Sequence, residues 1–225
     1  MVSEALVEKA KEFHGHICPF LVLGLRASEI AMQKLGLTKA GEVETVGEEI
    51  LAIVECNNCF TDGVQVATGC TLGNNSLIYM DVGKNAVTLV KRGEWRGVRV
   101  YIDSEKLRNK YFKKEATELF EKVVVKRQGT SEDYERLRKM WAEIGWSMTN
   151  VPEEMFKIEE VETAEIERAP ILESVKCEKC GELVMKTRIR VVDGKAVCLS
   201  CLGECEAVVG RGIVPNFKIP LKVRR

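Results

Sequence analysis

The chain contains no run of 18 apolar residues, so no membrane-spanning helix is expected. It has no excess of either charge. The 34 Lys and Arg balance 34 Asp and Glu, which leaves no global attraction to nucleic acid or anionic lipid. The opening, MVSEALVEKAKEF, carries acidic residues early and no apolar stretch behind them. A secretory signal peptide is therefore not expected, and a cytoplasmic protein is. No long internal repeat is present. There is no P-loop either, because Gly83-Lys84 lacks the upstream glycine of GxxxxGK. Histidine is scarce: His14 and His16 are the only 2 in 225 residues, and both fall in HGHICPF.

Cysteine is the residue present in unusual number. There are 9: Cys18, Cys56, Cys59, Cys70, Cys177, Cys180, Cys198, Cys201 and Cys205. An odd count in a chain expected to meet a reducing compartment favours metal binding or thiol chemistry over a disulfide framework. None lies between Cys70 and Cys177, which suggests two separate sites.

The hydrophobic pattern predicts an α+β domain over residues 1–169 and a small metal-held domain over 170–225. Residues 3–12 read as an amphipathic helix capped by Ser3, and Pro19 opens a largely buried helix that ends at Gly36. EVETVG and EILAIVE read as two strands around a turn, followed by a short helix over 59–67. LIYMD, AVTLVKR and GVRVYID read as three more strands, with turns at Gly83 and Gly93. Helices are expected over 104–121 and 131–145. The sheet should be largely antiparallel or mixed, with helices packed on it. Residues 152–169 carry seven Glu against one Lys and one Arg, as a connector or a charged edge strand would.

In the second cysteine set, Cys177-Glu-Lys-Cys180 and Cys198-Leu-Ser-Cys201 are separated by seventeen residues. Two CxxC pairs at this distance read as a zinc site, since a two-residue gap lets both sulfurs of a pair turn onto one ion. The segment between them predicts a hairpin turning at Asp193-Gly194, which returns the second pair to the first. The arrangement resembles a zinc ribbon, in which the metal replaces a core the module is too small to build. Cys205 is spare, either a free thiol or a shifted-register substitute for Cys201.

In the first set, His14, His16 and Cys18 alternate and would share one side of an extended segment. Cys18 precedes a helix, where free N–H groups favour a thiolate. Imidazole and thiolate suit zinc or iron. Further donors could come from Cys56, Cys59 and Cys70. Asp62, three residues after Cys59, could be an oxygen ligand, an outer carboxylate or a proton acceptor. The competing reading is plain packing: a buried thiol ahead of a helix and a histidine tied to a backbone carbonyl.

HGHICPFLVLGLRASEIAMQKLG and CFTDGVQVATGCTLGNNSLIYMDVGKNAVTL together resemble the two signature blocks of the formylmethanofuran dehydrogenase E-subunit family. The second block carries Cys59, Asp62, Gly69-Cys70-Thr71 and Asp81-Val82-Gly83-Lys84. The resemblance implies an α+β core, a homodimer and a metal site. Carried over by position, it names His16, Cys18, Cys59 and Cys70, with His14 as outer partner or alternate ligand. Cys56 falls outside the pattern and either adds a thiolate or packs. The family name further implies association with other subunits of a molybdenum or tungsten enzyme that works in methanogenesis. This chain has neither a pterin-binding domain nor a ferredoxin cysteine run.

Three functions follow as expectations. The first is a metal-binding accessory or regulatory protein of the formylmethanofuran dehydrogenase system. The second is an independent metalloenzyme using the N-terminal site, with Asp62 or His14 moving protons. The third is a nucleic-acid-binding or regulatory protein acting through the ribbon. Neutral overall charge argues against the third, while the LKVRR end keeps it open.

Overall fold

The computed structural model describes residues 1–207. The LKVRR end and the last part of the expected 170–225 module lie outside the described residues. The chain divides into two compact units, Met1–Ile166 and a second that begins at Glu167.

The first unit is built around one helix. α1 (Glu4–His14) starts where the Ser3 hydroxyl accepts the Leu6 N–H and ends at Gly15, whose φ of 91° turns the chain. α2 (Pro19–Leu35) has proline in its first turn and a left-handed Gly36 at its end. Leu21, Val22, Leu23, Leu25 and Ile30 are all fully buried, so α2 is apolar on nearly every side because it is surrounded. It packs on α4 (Cys59–Thr68) and on the sheet.

The sheet has strands β1 (Ile50–Val54), β2 (Leu77–Tyr79), β3 (Ala86–Lys91), β4 (Arg96–Ile102) and β5 (Phe156–Glu162) in the order β2-β1-β3-β4-β5. β1 and β2 run parallel, with Ala52 opposite Leu77, and all other pairs are antiparallel. β1 and β3 are buried almost throughout, which is why ILAIV and AVTLV read as unbroken apolar runs. The acidic stretch after Pro152 contributes β5, an edge strand whose Glu159 pairs with Arg99 of β4 at 2.8 Å. Charge on an edge strand discourages pairing with further chains. Arg99 also grips buried Glu55 through two hydrogen bonds, so that carboxylate is paired, not orphaned.

Two expected elements differ. EVETV forms a short helix, α3 (Glu42–Val46), not a strand. The Glu44 carboxylate accepts the Gly41 N–H at 3.0 Å and the Thr45 hydroxyl donates to the Gly41 carbonyl at 2.8 Å. These local bonds close a helical turn, while Val43 and Val46 stay exposed with no sheet to join. The single helix expected over 104–121 is two, α5 (Ser104–Tyr111) and α6 (Lys114–Phe120), the latter running into a wider π turn over Glu121–Val125. Phe112 breaks it by adopting an extended backbone and setting its ring edge-on to Trp141 of α7 (Ser131–Ser147), 5.4 Å between centroids.

The second unit has two hairpins, β6 (Ser174–Lys176) with β7 (Leu183–Met185), and β8 (Ile189–Val192) with β9 (Lys195–Cys198), then a single turn of helix, α8 (Leu199–Leu202). The second hairpin turns at Asp193-Gly194, both left-handed (φ 50° and 76°), as a two-residue primed turn requires.

Candidate metal centres

The first centre depends on a contact between two helices. A Cβ on Gly24 of α2 would lie 2.1 Å from the Phe60 carbonyl oxygen, and one on Gly63 of α4 would lie 2.2 Å from that of Leu21. Only glycine at both positions lets these backbones touch. The crossing sits near the N-terminal ends of both helices. It therefore brings together Cys18, the residue that caps α2, and Cys59, the first residue of α4.

α1 supplies the imidazoles. His14 is its last residue, and the Gly15 turn folds His16 back so that the two rings stand 4.5 Å apart. One donor atom from each of His14, His16, Cys18 and Cys59 lies within 4.8 Å of all the others. His14 Nδ1 is 2.6 Å from Asp62 Oδ2, and Gln65 Nε2 donates to Asp62 Oδ1 at 3.2 Å. His14 Nε2 is buried with no hydrogen-bond partner. A buried imidazole nitrogen is costly when unpartnered. An Nδ1–H held by a carboxylate, with a free Nε2 aimed into a cluster of thiols, is the geometry of a metal-ligating histidine with its outer carboxylate. The residues present thus fit a metal ion. Cys18 is buried, Cys59 and His14 are half-buried, and His16 is exposed.

Without a metal, these groups perturb one another. The hydrogen bond to Asp62, reinforced by Cys59, raises His14 to about 9. His16 is lowered by burial and by the neighbouring His14 charge. Cys59 is lowered, chiefly by the Cys18 thiol hydrogen-bonded to it and then by His14. Cys18 is raised by that same bond and by burial. These directions favour the imidazolium at His14 and the thiolate at Cys59, and disfavour a thiolate at Cys18.

Two sequence candidates fall outside this cluster. Cys70, expected among the ligands, follows the C-terminal cap of α4, whereas Cys59 opens it. A helix of that length spans about 15 Å. Cys70 is fully buried and its thiol donates to the Ile50 carbonyl at 3.3 Å, so it is a packed core thiol. Cys56 is buried beside Asn58 Oδ1 (3.6 Å) and the Thr61 hydroxyl (3.9 Å), and burial pushes its thiol up to about 11. His14, expected as an outer partner or alternate ligand, stands inside the cluster, and Asp62 takes the outer position. Sequence reasoning missed Gln65 and the Gly24–Gly63 contact. The signal for Gln65 was its place three residues after Asp62 on one helix face.

The second centre gathers Cys177, Cys180, Cys198 and Cys201, again with all sulfurs within 4.8 Å. Cys177 and Cys201, and Cys180 and Cys198, are each 3.9 Å apart. Four sulfurs at ~2.3 Å from one ion in a tetrahedron stand roughly 3.8 Å apart, so the spacing suits zinc. The Cys198 N–H donates to Cys177 Sγ at 3.3 Å, and this backbone donor lowers the Cys177 thiol. Glu178 N–H to the Ala196 carbonyl (2.8 Å) and Ala196 N–H to the Glu178 carboxylate (2.7 Å) tie the first CxxC turn to β9, the strand that leads into the second. Cys205 is exposed and outside this cluster.

Comparison with known proteins gives a separate match for each centre. The family described as FmdE, molybdenum formylmethanofuran dehydrogenase operon, matches residues 13–157. The prokaryotic DksA/TraR C4-type zinc finger matches residues 170–206. A protein of Archaeoglobus fulgidus named as a probable S-adenosyl-L-methionine-binding protein is 63% identical over 209 residues. That match covers 93% of this chain but 56% of the relative, so the chain spans just over half the length of that protein. A crystal structure of a tungsten formylmethanofuran dehydrogenase FmdE-like protein from Syntrophus aciditrophicus superposes with a TM-score of 0.58 at 26% identity, over 89% of this chain and 91% of that one.

Proposed function

This chain belongs to the FmdE family, and from that premise we propose that it is a metal-binding accessory or regulatory protein of a formylmethanofuran dehydrogenase system. His14, His16, Cys18 and Cys59 would form its functional metal centre, and the C-terminal ribbon would hold a structural zinc. The observation that carries the reading is the orphaned His14 Nε2, buried in a cluster of three further donors and fixed from behind by Asp62. Zinc or iron suits this mixed nitrogen and sulfur set. Partners in this reading are a second copy of the chain and other subunits of a molybdenum or tungsten enzyme, in a cytoplasmic setting linked to methanogenesis.

A second reading, an independent metalloenzyme, is favoured by one feature. His16 is exposed on a turn, whereas His14, Cys18 and Cys59 are held by helix ends. A weakly held fourth donor leaves a position that a water or substrate could take. A metal there would supply Lewis acidity. Asp62 and Gln65 would keep the His14 ring oriented, and exposed His16 could carry a proton to or from solvent. Nucleic-acid binding by the ribbon is the weaker option. Among its basic residues, Lys186 and Arg190 are paired with Glu173 and Glu206.

The test is metal identity and stoichiometry in anaerobically purified full-length protein and in the variants Cys18→Ser and Cys59→Ser. Two metals per chain falling to one, with zinc retained, is the expected result. Unchanged occupancy in both variants would remove the N-terminal centre. Because a relative is named for S-adenosyl-L-methionine binding, titration with that ligand belongs in the same experiment.

A further inference from the structure

We propose that Cys18 and Cys59 form a thiol–disulfide site, in which Cys59 is the entry sulfur and Cys18 the resolving one. Sequence alone would pair Cys59 with Cys56, since Cys56-Asn-Asn-Cys59 is a CxxC step at the start of a helix. The structure assigns a different partner. Cys18 and Cys59 share a cluster whose donor atoms lie within 4.8 Å, and Cys56 is not in it. The Cys56 sulfur is instead turned onto Asn58 and Thr61. The Gly24–Gly63 contact keeps the two helices together, and the two sulfurs start within 4.8 Å of each other. Accessibility sets the order of events. Cys59 is partly exposed, while Cys18 is only 3% exposed.

The oxidant is a low-molecular-weight disulfide, RSSR. The Cys59 thiolate attacks one of its sulfurs, giving Cys59–S–S–R and releasing RS⁻. Cys18 then attacks the Cys59 sulfur of this mixed disulfide. The Cys18–Cys59 bond forms, the bond to R breaks, and the Cys18 proton leaves with the second RS⁻ as RSH. Two protein thiols have lost two electrons, and one RSSR has become two thiols. The bridge removes both thiolates from the donor set, so oxidation and metal occupancy exclude each other. That last consequence rests on the metal reading above, whereas the bridge itself does not.

The experiment treats full-length protein, stripped of metal by chelation, with dithiodipyridine, and maps disulfides by peptide mass. A Cys18–Cys59 cross-link is expected, and it should persist in Cys56→Ser. In Cys18→Ser, Cys59 should keep a single pyridylthio adduct. A Cys56–Cys59 cross-link, or a lasting adduct on Cys59 in the unsubstituted protein, would overturn the assignment. Should Cys18→Ser fold poorly, the maps of the unsubstituted and Cys56→Ser proteins decide by themselves. Metal-loaded protein should form the bridge about tenfold more slowly. Equal rates would overturn the exclusion by metal and leave the cross-link result standing on its own.

Discussion

The two donor clusters of this chain use nearly the same chemistry and have opposite relations to their surroundings. The N-terminal cluster sits on helix ends that a large core already holds in place, with α2 and α4 locked by backbone contact. Among the described residues the C-terminal cluster has little beneath it: its buried group is Cys177, Val197 and Cys198, with Val184, Ile189 and Leu202 partly buried against it. In the first case the fold makes the site. In the second the site is expected to make the fold. Under the proposed function, a cysteine sulfur serves function in one unit and structure in the other, although the sequence writes both as cysteine.

The largest expected effect tests the second half of this contrast. Structural zinc in modules of this kind contributes about 10–16 kcal/mol, far more than so small a described core could. Cys177→Ser or Cys198→Ser should release one zinc and abolish amide-exchange protection across both hairpins, with the strands of the first unit unchanged. Retained protection in the hairpins would show that the ribbon stands without its metal.

The next effect probes the first half. Gly63→Ala gains about 1 kcal/mol of helix propensity. It also drives a methyl against the Leu21 carbonyl, 2.2 Å away, a rigid neighbour that cannot swing aside. Overpacking of this kind costs about 1–3 kcal/mol and occasionally more. A fall in the urea midpoint of the first unit is expected, together with loss of the N-terminal metal and full retention of the ribbon zinc. If the metal stays, the crossing is not what holds Cys18 and Cys59 together.

The same contrast explains what the sequence disclosed. The ribbon was legible because its ligands are local: two CxxC pairs and one hairpin place all four sulfurs. The core helix α2 and strands β1 and β3 were legible because burial on all sides leaves an unbroken apolar run. The N-terminal centre was legible only in part. HGHIC marks a segment that enters the cluster, but Cys59 and Cys70, both expected as ligands, are told apart only by knowing that they sit at opposite ends of α4. His14 looked peripheral because its partner, Asp62, is distant in sequence. The α3 segment misled because valines and threonine favour strands, whereas the Glu44 cap and the Thr45 hydroxyl decided locally for helix.

A smaller effect distinguishes how the two centres load. A metal takes neutral imidazole and thiolate, so binding expels protons. In the metal-free N-terminal centre, His14 is raised to about 9 and the Cys18 thiol is raised as well. Loading near neutral pH should release about two protons, one from each. Affinity should therefore rise with pH, and the His14 share of the release should vanish as pH climbs through about 9. Calorimetry in buffers of different ionisation enthalpy measures this directly. Asp62→Asn removes the carboxylate that holds Nδ1, and loss of such an outer partner weakens metal binding by about 10–100-fold. It should also lower the His14 pKa and shrink the proton release. Unaltered affinity and release would mean that His14 is not a ligand.

The smallest effect is the sharpest on the question of ligand choice. Cys70 carries the same Gly-Cys-Thr context that pointed to it as a ligand, yet its thiol is spent on the Ile50 carbonyl. Serine at this position is smaller and can make the same donation, so Cys70→Ser should cost about 1 kcal/mol of stability. Metal content should not change at either centre. Because Cys59→Ser is expected to empty the N-terminal centre, the pair of variants asks one question of two cysteines at opposite ends of one helix. If Cys70→Ser releases metal and Cys59→Ser does not, the centre lies at the other end of α4, and the orphaned His14 nitrogen needs a different partner.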